Sequence, residues 1–145
     1  MVTEMLKEGA VVVLNDIDDK SVADAVGSLR KEGYDVNGYV ANVTNKEQVV
    51  SMVNYVVETY GRLDILVNNA GGALRTPKNL EDIEEEHWDL VLNVNLKGTF
   101  LVSQASVPFM KQIGGSIINL SSIGGRTASI VTGVSYAAAK AGIVG

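Results

Sequence analysis

Cysteine is absent from the 145 residues, histidine occurs once and proline twice. Without cysteine there is no disulfide framework, no thiolate metal site and no thiol nucleophile. A lone imidazole, His87, leaves a His-based metal site short of its second ligand, and any Ser-His-Asp triad would have to use this one residue. It follows the acidic run Glu81-Asp82-Ile83-Glu84-Glu85-Glu86, which reads as a solvated first helical turn at the positive end of a helix dipole. Long apolar runs are missing too. The longest, Ala10 to Leu14, falls far below the ~18 residues a membrane span requires. Met1 to Gly9 mixes acids with lysine and has no apolar signal region. The net charge of −5 argues against a nucleic-acid surface and against an anionic membrane. No nucleic acid, no membrane and no metal are therefore expected, and a cytoplasmic location is the default.

What is present is ordinary for a globular protein: 46% hydrophobic and 20% charged residues. The length suits one domain, 1–145, with a sizeable core. Ala10 to Leu14 reads as a strand buried on both faces. Lys20 to Glu32 carries a helical stripe of Val22, Ala25, Val26 and Leu29, stopped by Gly33. Val36 to Ala41 reads as a second strand. Thr44 or Asn45 caps a helix with Val49, Met52, Val53 and Val56 on its apolar face, ended by Gly61. Leu63 to Val67 is a third strand, and the loop 68–78 follows. A long helix from Glu85 to Gln112 is expected, bent or shortened at Gly98 and Pro108. Ile117 to Leu120 is the fourth strand, and a loop from Ile123 to Val134 precedes a terminal helix. Strands alternating with amphipathic helices give the α/β class, a doubly wound parallel sheet.

In such sheets ligands sit beyond the carboxyl ends of the strands. That rule selects Asn15-Asp16, Asn42, Asn68-Asn69-Ala70-Gly71 and Ser121-Ser122. Asp16 can accept both hydroxyls of an adenosine ribose, or can serve as a turn carboxylate ahead of Asp18. Asn69, Ala70 and Gly71 let backbone approach a flat ligand, or form an Asn-rich turn. Asn95 shares a helix face with Val91 and Trp88, so its amide must be bonded: it braces a loop or holds water for a proton relay. Tyr136 and Lys140, separated by three alanines, stack on one helical face. A phenol titrates near ~10, and an adjacent ammonium favours the phenolate. With a serine hydroxyl at the end of the fourth strand, this set could bind and protonate a carbonyl oxygen.

Asp16, Asn68-Asn69-Ala70-Gly71, Asn95 within Asn93-Val94-Asn95-Leu96-Lys97-Gly98, Ser122 after Ile118-Asn119-Leu120-Ser121, and Tyr136-xxx-Lys140 occur in this order along nearly the whole chain. The combination resembles the short-chain dehydrogenase/reductase family. The resemblance implies a Rossmann-like fold and hydride transfer between a nicotinamide cofactor and a carbonyl or alcohol substrate. It implies Tyr136 as general acid/base, Lys140 as its partner and ribose ligand, Ser122 as the group orienting the substrate oxygen, and Asn95 in the proton relay. Asp16 would favour NAD over NADP, with Asn42, Val43, Asn69, Ala70 and Gly71 lining the cofactor. A homo-oligomer is implied for the full-length form, with the long helix from Trp88 to Phe109 supplying apolar contact surface. A non-catalytic nucleotide- or partner-binding module, or an NAD-dependent epimerase or dehydratase, would carry similar marks.

Some features depart from the family pattern. The usual opening strand with its glycine-rich turn has no counterpart, and Met1 to Glu8 reads as the tail of the helix that would follow it. Five residues follow Lys140. Asn42 stands where an aspartate is common, and the segment between Ser122 and Tyr136 is one residue longer than usual, which keeps Ser121 open as the functional hydroxyl. The expectation is a chain truncated at both ends, binding NAD weakly and turning over little by itself, with two strands left exposing unpaired edges or closing a gap of ~4.8 Å.

Overall fold

A computed structural model describes residues 1–127 and 132–145. The chain alternates helices and short parallel strands: α1 (Val2–Lys7), β1 (Val12–Asp16), α2 (Asp19–Lys31), β2 (Val36–Val40), α3 (Lys46–Tyr60), β3 (Ile65–Asn68), α4 (Glu85–Leu92), α5 (Gly98–Ile113), β4 (Ser116–Asn119) and α6 (Val134–Val144). The α/β class expected from the alternation is the class observed. Local chemistry sets the boundaries. Asp18 caps α2 by accepting from the Ser21 N–H at 2.8 Å, and Asn45 caps α3 by accepting from the Gln48 N–H at 3.0 Å. Gly61 closes α3 in the left-handed conformation, with φ +74. α1 is the short helical segment read from Met1 to Glu8.

The strands form two separate pairs. β1 and β2 run parallel with Val12 opposite Val36 and Asp16 opposite Val40. β3 and β4 run parallel with Ile65 opposite Ser116 and Asn68 opposite Asn119. Among the described residues no ladder joins the two pairs, so β1 and β3 keep unpaired edges and do not close on each other. Two apolar clusters hold the layers. Leu6, Val22, Val26 and Val36 bury α1 and α2 against β1 and β2. Ala41, Val49, Met52, Leu101 and Val102 bury α3 against α5, with Tyr39 of β2 and Leu66 of β3 packed on the same cluster.

Three expectations are corrected. The first strand starts at Val12, not Ala10, because Gly9 turns at φ +85 and the Ala10 N–H is held by the Met5 carbonyl. It is half-buried and not enclosed on both faces, as its edge away from β2 is unpaired. The long helix is interrupted at Asn93–Lys97 by a π-helical turn, whereas Gly98 begins α5 smoothly and Pro108 lies within it. Residues 128–131 of the loop expected from Ile123 to Val134 lie outside the described residues.

Candidate active site

The parallel pairing brings the carboxyl ends of β3 and β4 to one edge, and both end in asparagine. Asn68 is buried and donates from Nδ2 to Asn119 Oδ1 at 2.8 Å and to Ser103 Oγ of α5 at 2.9 Å. This amide ties the loop after β3, the loop after β4 and the underlying helix together. Asn119 and Ser103 carried no sequence signal beyond being polar at a strand end and on a helix.

Beyond Asn68 the chain runs through exposed Asn69 and Ala70 to Gly71 and Gly72. Gly71 has φ +147, and a Cβ there would collide with Asn95 Oδ1. Asn95 is completely buried. Its Oδ1 accepts from the Gly72 N–H at 2.9 Å, and its Nδ2 donates to the Gly72 and Val91 carbonyls at 2.9 Å each. The side chain is thus a brace between the π-helical turn and the loop after β3. Its backbone carbonyl accepts from the Thr99 hydroxyl at 2.8 Å.

Past β4, the two serines have different partners. Ser121 Oγ donates to the Lys140 carbonyl at 2.7 Å, so its proton is committed to α6. Ser122 Oγ accepts from the Gly124 N–H at 3.2 Å and donates to no group among the described residues, so its own hydrogen can turn to an incoming oxygen. On α6, Lys140 is 5% exposed and its Nζ donates to the Leu120 carbonyl at 2.7 Å. The same Nζ lies 5.6 Å from the centroid of the Tyr136 ring. Burial pushes the Lys140 ammonium below its ordinary value, because the charged form loses hydration. Among the described residues Nζ makes no second hydrogen bond, so two of its three N–H donors face a ligand there. Serine loop, phenol and ammonium are therefore assembled at one end of β4. A Cβ at Gly125 would meet the Lys140 carbonyl carbon at 2.5 Å, so glycine is what lets the serine loop lie this close to α6.

A second cleft, of about 300 Å³, opens beyond β1 and β2, and its lining includes Ile17, Asn42, Thr44, Leu90, Val94 and Lys97. Asp16, next to Ile17 in the chain, is exposed, with Oδ1 accepting from the Asp18 N–H at 3.0 Å and no partner on Oδ2 among the described residues. Asn42 Oδ1 accepts from both the N–H and the hydroxyl of Thr44, at 2.9 and 2.8 Å. A backbone N–H can only donate, so the atom facing it is the oxygen, and the Asn42 amide hydrogens are what remain. Val43 packs its side chain against the core and against Gly98. His87 forms a reciprocal cap at the start of α4, its Nδ1 accepting from the Glu84 N–H at 3.3 Å. Among the described residues no cluster of acidic or imidazole side chains is suited to a metal ion. No described helix is long and apolar enough to cross a membrane.

The profile of the short chain dehydrogenase family matches residues 1–145. The chain belongs to that family. It is 44% identical over 140 residues to the 3-oxoacyl-(acyl-carrier-protein) reductase FabG of Thermotoga maritima, covering 96% of this chain and 56% of that protein. Among solved structures it resembles a short chain dehydrogenase from Mycobacterium smegmatis, with TM-score 0.91, 35% identity and coverage of 98% and 59%. It also resembles a gluconate 5-dehydrogenase from Burkholderia cenocepacia in complex with NADP and tartrate, with TM-score 0.86, 32% identity and coverage of 97% and 55%. This member of the short-chain dehydrogenases spans little more than half the length of the relatives it matches. The half-sheets thus take the positions they have within Rossmann-type sheets.

Proposed function

We propose that this chain carries the catalytic residues and part of the nucleotide site of an NAD-dependent oxidoreductase acting on a small-molecule carbonyl or alcohol. The observation that carries this reading is the grouping of Tyr136, Lys140 and the Ser121-Ser122 loop around the Leu120 carbonyl. In it Ser122 donates its free hydrogen to the substrate oxygen, and Tyr136 exchanges a proton with that oxygen. Lys140 holds its charge beside the phenol and offers its remaining donors to ribose hydroxyls. Asn95 supports the relay by fixing the Gly71-Gly72 loop. A nicotinamide nucleotide, when bound, supplies or removes the hydride.

The second cleft fits the adenosine end of such a cofactor. Ile17 and Val94 give apolar walls for a flat base, and the Asn42 amide hydrogens suit an accepting ring nitrogen. The open oxygen and charge of Asp16 suit a ribose hydroxyl and disfavour a 2′-phosphate, hence NAD over NADP. Asn69, Ala70 and Gly71 would border the cofactor through backbone. Residues 1–145 act as one unit in this reading. The exposed Phe100 on α5 would pack against a second copy in the full-length form. With β1 and β3 unpaired, the 145 residues alone are expected to turn over little.

The test is Tyr136→Phe in a protein extended at both ends to the relatives' length. Turnover should fall about 10²- to 10⁴-fold, the range typical for one general acid/base, while NAD binding measured by calorimetry is retained. Unchanged turnover would reject the assigned role.

A further inference from the structure

Ser121 has no place in the proton exchange, because its hydrogen is committed to the Lys140 carbonyl at 2.7 Å. Most side-chain hydrogen bonds go to backbone, so a hydroxyl on a helix carbonyl is by itself an ordinary stitch. Here the stitch falls on the residue that carries the ammonium. Lys140 is held at both ends by two adjacent residues. Ser121 Oγ donates to its carbonyl, and its Nζ donates to the Leu120 carbonyl at 2.7 Å.

This pair of residues is in turn fixed to the sheet. The Leu120 N–H donates to the Asn68 carbonyl at 3.0 Å, continuing the β3–β4 ladder, and the Asn68 amide bonds Asn119 and Ser103. The lysine stem, by contrast, is a flexible chain of four carbons. Alone it would let the amine follow the Leu120 carbonyl through a range of helix positions. The backbone end of Lys140 is the end that needs a fixed point, and Ser121 supplies it. Gly125 keeps the approach open, since a Cβ there would collide with the Lys140 carbonyl and the Ala141 nitrogen.

The same bond bears on the neighbouring hydroxyl. Ser122 is extended, and successive side chains of extended backbone leave on opposite sides. The direction of the Ser122 hydroxyl is therefore set by where Ser121 points.

We propose that Ser121 is a positioning residue: by holding the Lys140 carbonyl it sets how far α6 stands from the end of β4, and so fixes the ammonium relative to Tyr136 and to the Ser122 hydroxyl. For its effect on turnover this role rests on the catalytic reading above. For the placement of the amine it rests on the hydrogen bonds alone.

The test compares Ser121→Ala with Ser121→Thr, which keeps the hydroxyl. In the 145-residue chain the NMR signal of the Lys140 ammonium, assigned by its absence from Lys140→Gln, reports the amine directly. Buried, bonded hydrogens exchange slowly with water. In Ser121→Ala that exchange should quicken at least about tenfold, and in Ser121→Thr it should stay within about twofold of native. Gly125→Ala keeps the serine but forces the same gap open, and should quicken it as well. In the protein extended to the relatives' length, turnover should fall about 10- to 100-fold in Ser121→Ala, as for a displacement of order 1 Å, and return with threonine.

An unchanged ammonium in Ser121→Ala or Gly125→Ala overturns the proposal, as does equal quickening with threonine. A native ammonium exchanging as fast as those of exposed lysines does the same. So does a quickened ammonium with full turnover in a protein where Tyr136→Phe lowers it. Loss of amide protection in the β1–β2 ladder of Ser121→Ala would make the serine a support of the whole fold, and also overturns the proposal. If Tyr136→Phe proves silent, the catalytic reading fails, and the ammonium alone decides whether Ser121 places it.

Discussion

The β1–β2 half and the β3–β4 half have the same plan, two parallel strands rich in valine, isoleucine and leucine, yet they are buried to different degrees. Val36 of β2 is fully buried and Val12, Val13 and Leu14 are half-buried, because α1 and α2 close on them. In β4 all four residues are exposed, Ile117 at 38% and Ile118 at 47%. These two are neighbours and point to opposite faces, so neither face of β4 is sealed. Apolar sequence makes a strand; a covering helix makes it core. α5 reaches β3, and little reaches β4.

The strongest way to break this comparison is at the cluster joining the halves. Leu101→Ala removes a buried side chain of α5 that packs with Ala41, Val49 and Met52, and should cost about 2–5 kcal/mol. Urea unfolding should show the loss, and exchange should accelerate in both strand pairs. Val26→Ala, in the cluster under α2, should accelerate β1 and β2 first; an equal response of β3 and β4 would show that the halves are one cooperative unit.

The β3–β4 half can be sharpened through Ser106, whose hydroxyl is fully buried on α5 without a partner among the described residues. Ser106→Ala should stabilise the chain by about 1 kcal/mol, since it removes an unsatisfied group and raises helix propensity. A lower urea midpoint would contradict this. The smallest effect concerns Lys140. Its ionisation is depressed in the fold by burial, so the unfolded chain binds more protons just below the ordinary lysine value. Stability should therefore rise with pH in that window, and Lys140→Gln should flatten the rise. A stability curve with the same slope in both proteins would remove burial as the cause.

Much of this was legible in residues with one dominant local preference. Asn45 and Gly61 mark the ends of α3, Gly33 follows α2, and Tyr136-xxx-Lys140 falls on one helix as its spacing requires. What escaped depends on contacts between distant segments. The π-helical turn exists because the Asn95 amide reaches Gly72, 23 residues away, and no periodicity within the helix announces it. The Ser121 bond to the Lys140 carbonyl, which sets the two serines apart, joins positions 19 residues apart in the chain. The start of β1 was misplaced because Gly9 and Met5 hold Ala10 out of the ladder.

The extra residue in the turn between α4 and α5 works as a phase shifter. An α-helix advances ~100° per residue, so one inserted position rotates everything downstream by more than a quarter turn. That rotation lets α4 lie against α6 while α5 lies against α3. Deleting a single codon there would leave a helix of nearly the same length and composition. It would nevertheless turn Leu101 and Val102 away from the cluster they share with α3.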